Sequence, residues 1–551
     1  MIEYNKNNTI VYSILAMKKP FAQKFSFISS KNSSTKLPVT YKLKKRFNRG
    51  HTKYNTDYCD NQMTFDECEL AILRHAVDET EELQKQKISN SDDIKQMIRI
   101  LEDFLIKKKL ICYGGTAINN ILPKYAQFYN RDIEVPDYDF FSKNAMEDAK
   151  ELADIFYNAG YLETEAKSGV HKGTYKVFVN YIPMADITQL HPDLYNSIER
   201  DAITVAGIKY APPNYLRMSM FLELSRPAGD VSRWEKVFKR LTLLNKFYPL
   251  KPTFDCKKVD FQRKTETVSP EDTERIYYIL RDSFIEQGVV FFGGYASSLY
   301  SKYMGKTQRD FIKKIPDFDI LAEDIDRVSL IIQERLFANG FTNIQTIEHE
   351  NIDDVIPRHI EIKIGKETLA FLFAPVACHN YNTIRIQDKE INIATIDTML
   401  SFYLAFIYAD KPYFETDRIL CMAQYLFDVE QKNRLEQKGL LKRFSISCYG
   451  KQPTLETMRA EKADKFKELS NNRNSREWNE WFFKYSPNQM KPAKGETVAS
   501  SPITSSPITS IQDNEKVKSK HSKKQTKKRR KSNNQTIRKL FGLKKSNDFL
   551  Y

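Results

Sequence analysis

The sequence has few of the features that mark secreted, membrane-spanning or zinc-ribbon proteins. Its seven cysteines are scattered, odd in number and without a CxxC pair, which predicts a reducing compartment and argues against a disulfide framework or a zinc knuckle. No apolar run approaches the roughly 18–20 residues that cross a bilayer. The N-terminus lacks the apolar core of a signal peptide. We therefore expect neither a membrane span nor a secretory leader.

Acidic residues are scarce at both ends of the chain. Of the net charge of +15, residues 1–55 contribute +11 and residues 516–545 contribute +14. The body from 56 to 515 is therefore acidic, with a net charge of −9. A nucleic-acid groove in the body must then be a local basic stripe. We expect the N-terminal arm to be flexible, with a solvated tail, a phosphate-contacting arm and a targeting peptide as open alternatives.

The C-terminal stretch combines a polar linker with a basic tail. Residues 500–510 read SSPITSSPITS, a repeat that cannot build a core and acts as a linker. Of three interpretations of the basic tail, we favour RNA backbone binding without sequence preference, with affinity that falls steeply with salt. A nuclear-import signal and a solubilising end are the other two.

The chemistry is organised around one stretch, from Ile111 to Ser142. It predicts a short buried strand, a Gly114-Gly115-Thr116 turn that opens a helix, and a second strand carrying Asp137 and Asp139. Carboxylates at i and i+2 of a strand point the same way, so they repel unless a cation lies between them. The N–H groups of the turn favour phosphate. Together these features indicate a phosphate cradle beside a Mg²⁺ site, as phosphoryl or nucleotidyl transfer requires.

A third carboxylate follows on a predicted hairpin. Its first strand covers residues 174–179, its turn falls at Ile182-Pro183, and its second strand carries Asp186. An outward-facing strand residue or a turn-entry aspartate would also fit this pattern. We favour convergence of Asp186 with Asp137 and Asp139, which completes a site for two divalent ions.

Basic residues recur along two predicted helices over residues 212–246. Most such charges belong to a solvated face, and the sequence does not indicate which one or two contact triphosphate or RNA. The five are Arg226, Arg233, Lys236, Lys239 and Arg240.

The same pattern returns in degenerate form in the second half of the chain. Gly294 and Asp317 are 23 residues apart, against 22 for Gly115 and Asp137. The tetrapeptide that contains Asp317 and Asp319 again reads Pro-Asp-aromatic-Asp. A hairpin over residues 359–373 has only apolar residues where the first carries its aspartate. We interpret the second copy as inactive, with its two aspartates as structural remnants.

Two predicted helices precede the first copy. A capping box at Thr64 and Glu67 opens a helix to about Lys87, and a second helix starts at residues 90–92. We expect both to lead into the first domain or to pack against it. Their apolar stripes are Leu70, Leu73, Ala76 and Val77, then Ile94, Met97, Ile98, Leu101 and Leu105.

The motifs resemble those of the catalytic subunit of poxvirus-type poly(A) polymerases and of its relatives in giant DNA viruses. The resemblance covers roughly residues 60–480. It implies an α+β fold of two tandem modules of the DNA polymerase β type, with mixed sheets, flanking helices and flexible basic termini. It further implies template-independent addition of AMP from ATP to the 3′ end of viral mRNA. Addition of UMP or CCA to RNA, and a non-catalytic RNA-binding scaffold, stay as alternatives.

The resemblance also assigns roles to residues. Asp137, Asp139 and Asp186 would be catalytic and would bind two Mg²⁺ or Mn²⁺ ions, and Gly114, Gly115 and Thr116 would bind the nucleotide. ATP and a single-stranded RNA 3′ end are the expected partners, and self-association and a processivity partner both stay open. The expected location is the viral factory in the host cytoplasm or the virion, with the nucleus as a further alternative.

The expected domain limits follow from these assignments. They are a basic arm (1–55), an N-terminal helical region (56–110), a catalytic nucleotidyltransferase domain (111–250), a degenerate second domain with a helical segment (251–485), and a linker with a basic tail (486–551).

Overall fold

The computed structural model describes residues 56–59, 62–89, 91–130, 135–259, 261, 268–312 and 316–490. The predicted basic arm, the Ser/Thr/Pro linker and the basic tail lie outside the described residues. The chain as far as Tyr485 forms one unit, and Ser486 begins a second.

Helices and strands alternate through the first half of the described chain. They are α1 (Phe65–Ser89), α2 (Asp92–Lys108), β1 (Ile111–Tyr113), α3 (Gly114–Ile121), β2 (Tyr138–Ser142), α4 (Ala145–Asn158), β3 (Thr164–Ser168), β4 (Thr174–Val179), β5 (Ile182–Gln189), α5 (Pro192–Arg200), β6 (Ile203–Val205), β7 (Ile208–Tyr210), α6 (Pro213–Leu224) and α7 (Trp234–Phe247).

The second half repeats this alternation and adds a C-terminal helical segment. Its elements are α8 (Pro270–Glu286), β8 (Val290–Phe292), α9 (Gly293–Tyr300), α10 (Lys306–Phe311), β9 (Phe318–Leu321), α11 (Ile325–Ala338), β10 (Ile344–His349), β11 (His359–Ile364), β12 (Glu367–Phe373), β13 (His379–Ile386), β14 (Lys389–Ala394), α12 (Ile396–Ala409), α13 (Thr416–Lys432), β15 (Cys448–Tyr449), α14 (Leu455–Leu469), α15 (Arg476–Phe482), β16 (Lys484–Tyr485) and, in the second unit, α16 (Pro487–Met490).

Each module contains an eight-stranded mixed sheet, and the first sheet takes its edge strand β16 from the C-terminal segment. The strand order is β16-β3-β4-β5-β2-β1-β7-β6 in the first and β10-β11-β12-β9-β8-β14-β13-β15 in the second. Without the edge strands β16 and β15, the two orders are identical when the strands are numbered within each half. The predicted fold class, two tandem α+β modules with mixed sheets, is confirmed.

The hairpin in the first module differs in one detail from its prediction. Its turn lies at Asn180 and Tyr181, with φ of +49° and +68°, and not at Ile182-Pro183, which already belong to β5. Neither turn residue is a glycine, so the sequence carries no strong signal for the left-handed backbone at this point.

The two N-terminal helices form as predicted but pack differently. α2 buries four of the five apolar positions that its sequence predicts, and the fifth, Ile98, is half-buried. On α1, Leu70 and Leu73 remain 60% and 58% exposed. Of the two alternatives, α1 therefore leads into the first module without burying its apolar stripe there. None of the described helices is long and apolar enough to cross a membrane.

The cysteines overturn one expectation from the sequence. Six of the seven form disulfides, so the predicted absence of a disulfide framework is wrong, and only Cys112 is a buried free thiol. The pairs are 9, 165 and 70 residues apart, so neither spacing nor a CxxC pattern reveals them. They are Cys59–Cys68, Cys256–Cys421 and Cys378–Cys448.

The second module anchors α7 through a buried ion triad. Arg443 pairs with Asp397 at 2.7 Å and with Glu430 at 2.9 Å, and all three are at most 9% exposed. The Arg443 guanidinium lies 5.2 Å from the ring centroids of both Phe238 on α7 and Phe444. One face of α7 is therefore fixed by the second module, which matters because another face carries cations.

Candidate active site

The strand register brings the predicted carboxylates together. β2 and β5 are parallel neighbours with Asp139 directly opposite Asp186. Asp137 lies immediately before β2, two residues from Asp139. The charge of Asp186 raises the pKa of both other carboxyl groups, which is possible only if the three lie close together.

Burial and repulsion both act on the carboxylates. Asp139 is 7% exposed, and burial, followed by the charges of Asp137 and Asp186, raises its pKa well above the ordinary value. The pKa of Asp137 is raised by burial of its carboxyl group and then by Asp186, although the residue as a whole is exposed. A divalent cation among them would relieve this repulsion.

Lys176 is a member of the cluster that the sequence prediction did not single out. It lies on β4 directly opposite Asp186, and its ammonium group forms an ion pair with the Asp186 carboxylate. Its side chain is 18% exposed. The sequence did contain a signal for this contact. Lys176 lies on the hairpin strand that pairs with the strand of Asp186, and cross-strand neighbours on one face interact.

The glycine turn lies directly above Asp139. Gly114 has φ of +72°, and a Cβ at this position would lie 2.5 Å from Asp139 Oδ2, so only glycine fits without strain. In the described chain, the N–H groups of Gly115 and Thr116 at the start of α3 make no hydrogen bond to another backbone group. They can therefore donate to an anion at this helix N-terminus.

The structure gives Thr116 a more local contact than the sequence suggested. Its side chain is 2% exposed, and its hydroxyl donates to the carbonyl oxygen of Asp137 at 2.5 Å. The hydroxyl thus ties the turn to the segment that carries the first carboxylate. The backbone N–H of Thr116, and not its hydroxyl, can therefore donate to an anion.

One face of α7 supplies cations to the cluster. Arg240 is 9% exposed, donates to the Tyr129 hydroxyl at 2.5 Å, and lies 2.9 Å from where a Cβ of Gly115 would be. The charges of Lys236 and Arg240 lower the pKa of Asp137. Arg233 acts in the same direction on Asp139.

Lys236 and Arg240 lie on α7 and Arg233 immediately precedes it, and their spacing of i, i+3 and i+7 places all three on one side. Lys239 points elsewhere, since it is 71% exposed and pairs with Glu235. Five basic residues were candidates for contact with triphosphate or RNA, and the sequence could not choose among them. The structure selects Arg233, Lys236 and Arg240, whose charges act on the carboxylates.

The donor set suits hard divalent cations. Three carboxylates supply the oxygen ligands that Mg²⁺ and Mn²⁺ prefer. Among the described residues, no group of three or more His, Cys, Asp or Glu side chains has the arrangement of a ready-formed metal site. The Asp186 carboxylate is instead paired with Lys176.

The second module keeps the frame of this site and changes its chemistry. Phe371 lies opposite Asp319 in the parallel register of β12 and β9, which is the position that Asp186 holds in the first module. The N–H of Gly294 donates to the Asp319 carboxylate at 3.4 Å. The N–H of Tyr295 donates to the Asp317 carbonyl at 2.9 Å. The second module therefore lacks a carboxylate at the position of Asp186. The N–H groups of its glycine turn already donate to Asp317 and Asp319.

The first module also matches known proteins. Residues 99–230 match the family model described as poly(A) polymerase catalytic subunit. The resemblance inferred from the motifs is confirmed. The matched segment contains all six residues to which the resemblance assigned roles, and α7, which carries Lys236 and Arg240, lies beyond it.

Two viral relatives are named "Putative poly(A) polymerase catalytic subunit". That of African swine fever virus (strain Badajoz 1971 Vero-adapted) is 32% identical over 192 residues, 34% of this chain and 40% of that protein. That of Acanthamoeba polyphaga mimivirus is 27% identical over 299 residues, 49% of this chain and 48% of that protein. The chain thus matches less than half of the length of either relative.

The fold likeness extends further than the sequence likeness to the poly(A) polymerase family. The crystal structure of the Megavirus polyadenylate synthase superposes with a TM-score of 0.65 and covers 80% of this chain and 89% of that chain. The two are 19% identical in sequence, so this comparison supports the shared fold of both modules.

Proposed function

We propose that the chain is a template-independent poly(A) polymerase that adds AMP from ATP to the 3′ end of RNA, with its active site in the first module. One observation carries the proposal. Asp139 and Asp186 lie in register on neighbouring strands, with Asp137 beside them and with a glycine turn whose N–H groups can receive a phosphate. The similarity to poly(A) polymerase catalytic subunits supports ATP and RNA as the substrates.

In this proposal the three carboxylates hold two divalent cations, Mg²⁺ or Mn²⁺. When bound, these ions would lower the pKa of the RNA 3′-hydroxyl and neutralise charge on the leaving pyrophosphate. Removal of any one carboxylate would leave too few ligands for the pair of ions, while the strand pairing of β2 and β5 would persist.

The remaining residues of the site act on the triphosphate. The N–H groups of Gly115 and Thr116 donate to phosphate oxygens, and Arg240 and Lys236 add positive charge on the open side of the turn. Lys176 balances the charge of Asp186 across the hairpin. Each of these groups belongs to a regular strand or helix, so the site is held in one geometry.

The substrate in the infected cell would be viral mRNA. The relatives come from viruses, which supports a viral factory or a virion as the location. The three disulfides favour the particle, because cytosolic thiols are normally kept reduced.

A primer-extension assay on the purified full chain tests the function. It uses a labelled oligoribonucleotide, each of the four NTPs separately, and Mg²⁺ or Mn²⁺. A long ladder with ATP alone is expected. It should be lost in Asp137→Ala/Asp139→Ala and kept in Asp317→Ala/Asp319→Ala, the matched change in the second module.

Other outcomes would redirect the assignment. Extension with UTP or CTP in place of ATP would favour another terminal nucleotidyltransferase. Loss in both double variants would contradict an active site confined to the first module. No extension with any NTP would favour the RNA-binding scaffold.

A further inference from the structure

The second module has a cavity where the first has its candidate active site. Its volume is about 90 Å³, and Gly294, Asp317 and Asp319 are among the residues that line it. A space of this size has room for several water molecules or for a small ligand in their place. Aromatic rings form much of the remaining wall, namely those of Phe261, Phe371, Tyr403, Phe406, Tyr413 and Phe414.

The substitutions around this cavity exclude the ligands proposed for the first module. Phe371 takes the register position of a metal-binding carboxylate, so a pair of divalent ions lacks its third ligand. The Asp319 carboxylate accepts from the Gly294 N–H and places negative charge where a phosphate would have to bind. The cavity is therefore suited to a ligand that is planar, uncharged and aromatic.

Polar groups of both hydrogen-bonding types converge on the same space. Asp317, Asp319 and Arg418 line the cavity, and all three act electrostatically on the Tyr403 hydroxyl. Arg418 is 16% exposed in its side chain. A carboxylate accepts several hydrogen bonds and a guanidinium only donates, so the cavity wall carries both acceptors and donors.

We propose that this cavity binds a purine base that carries an exocyclic amine, through stacking on its aromatic walls and through its acidic and guanidinium groups. The amine donates to a carboxylate, and a ring nitrogen accepts from Arg418. The base belongs either to RNA or to a free nucleotide, and the phosphate is not recognised. If the proposed function holds, an adenine of the tail is the natural occupant.

Fluorescence of 2-aminopurine riboside tests the proposal, because stacking on aromatic rings quenches it. The full chain carries Asp137→Ala/Asp139→Ala, which disables the metal site of the first module. Saturable quenching is expected, and Met422→Trp, which fills the cavity, should weaken it about tenfold or more. The matched control is Leu435→Trp on the surface, where the native side chain is 95% exposed.

A second variant guards against misfolding of the first. Arg418→Met keeps the bulk of the side chain and removes its donors, and melting temperatures report whether each variant is folded. Quenching that is unchanged in both Met422→Trp and Arg418→Met would overturn the proposal.

Competing ligands identify the chemistry and the source of the base. Adenosine should displace the probe about tenfold better than inosine, which lacks the amine, and ATP no better than adenosine. An oligo(A) that competes better than adenosine assigns the site to RNA, and equal competition assigns it to free nucleosides. Inosine that competes as well as adenosine would contradict the proposal.

The outcome is separable from that of the proposed function. Probe binding without primer extension would leave the cavity assigned and reject the polymerase. Primer extension without probe binding would support the polymerase and reject base binding in the cavity.

Discussion

The two modules share one strand order and differ in what their strands present. In the first, Asp139 faces Asp186 and Lys176 lies across the hairpin. At the same register positions of the second lie Asp319, Phe371 and Glu361. Strand pairing determines the face of the sheet on which a position lies. It constrains far less which amino acid occupies that position. The comparison teaches that the strand frame around a carboxylate cluster can persist where an aromatic residue takes the place of the third carboxylate.

The second difference concerns what each module holds in place. The first module holds carboxylates close together at an electrostatic cost. The second buries a triad of Arg443, Asp397 and Glu430 and uses it to support α7. The cations of α7 then face the carboxylates of the first module. The copy without the third carboxylate is therefore part of the support of the other copy.

The largest expected effect comes from substituting the equivalent aspartates of the two modules. Asp139→Asn should lower AMP incorporation about a thousandfold, because a carboxylate of the proposed metal site is lost. Asp319→Asn should change it by less than about threefold. Single-turnover primer extension measures both, and equal losses would contradict the difference in roles.

A change in the buried triad tests the supporting role of the second module. Arg443→Met leaves two carboxylates buried without their cation, so the free energy of unfolding should fall by about 3–5 kcal/mol. Urea denaturation measures the loss. The control is Arg385→Met, which removes an exposed ion pair with Glu390 and should cost less than about 1 kcal/mol. A similar small cost for both variants would show that the triad does not anchor α7.

Acid sensitivity should separate a buried histidine from exposed ones. His379 is fully buried, no ring nitrogen of it has a hydrogen-bond partner in the described structure, and burial lowers its pKa to about 3. The unfolded chain therefore binds a proton near pH 6.5 that the folded chain refuses. Stability should be lost as the pH falls from about 6.5 towards 3, by about 2 kcal/mol at pH 5.

The variant His379→Leu should remove this part of the acid sensitivity and leave stability at pH 7 nearly unchanged. Thermal melts at pH 7 and pH 5 measure it. His75, whose side chain is 42% exposed, provides the control variant His75→Leu, which should keep the wild-type difference. An unchanged pH dependence in His379→Leu would refute the assignment.

The smallest expected effect separates two neighbours on α7. Arg240→Gln removes the guanidinium beside Gly115, so the KM for ATP should rise about tenfold through loss of a charge-assisted contact. Lys239→Gln removes an exposed charge and should leave the KM unchanged. Steady-state kinetics with ATP varied at a fixed primer concentration distinguishes them. A rise in both would mean that the net charge of α7, and not its orientation, sets the affinity.

The repeated motifs made the fold predictable. A glycine turn, a pair of aspartates and a hairpin recur in the same order, so the tandem modules and the strands that carry the aspartates could be derived from the chain alone. The apolar stripe of α2 likewise predicted its burial. The stripe of α1 predicted a helix but not a partner, because periodicity specifies a face and not what covers it.

The candidate site was predictable only as far as local spacing reaches. Asp137 and Asp139 are two residues apart, and the hairpin pattern singled out Asp186. The contact of Arg240 with the glycine turn joins residues that are distant in sequence, as do the disulfides, and no spacing rule reports such contacts. Lys176 was visible on its strand, but its partner depends on a hairpin turn that the sequence misplaced by two residues.

The disulfides also determine how the chain would respond to a protease. The loops closed by Cys256–Cys421 and Cys378–Cys448 overlap in sequence. A single cut of the backbone anywhere between Cys256 and Cys448 therefore leaves both pieces covalently joined. Such a nicked chain would migrate as one species on a non-reducing gel and separate only after reduction, so the second module could be cleaved without being released.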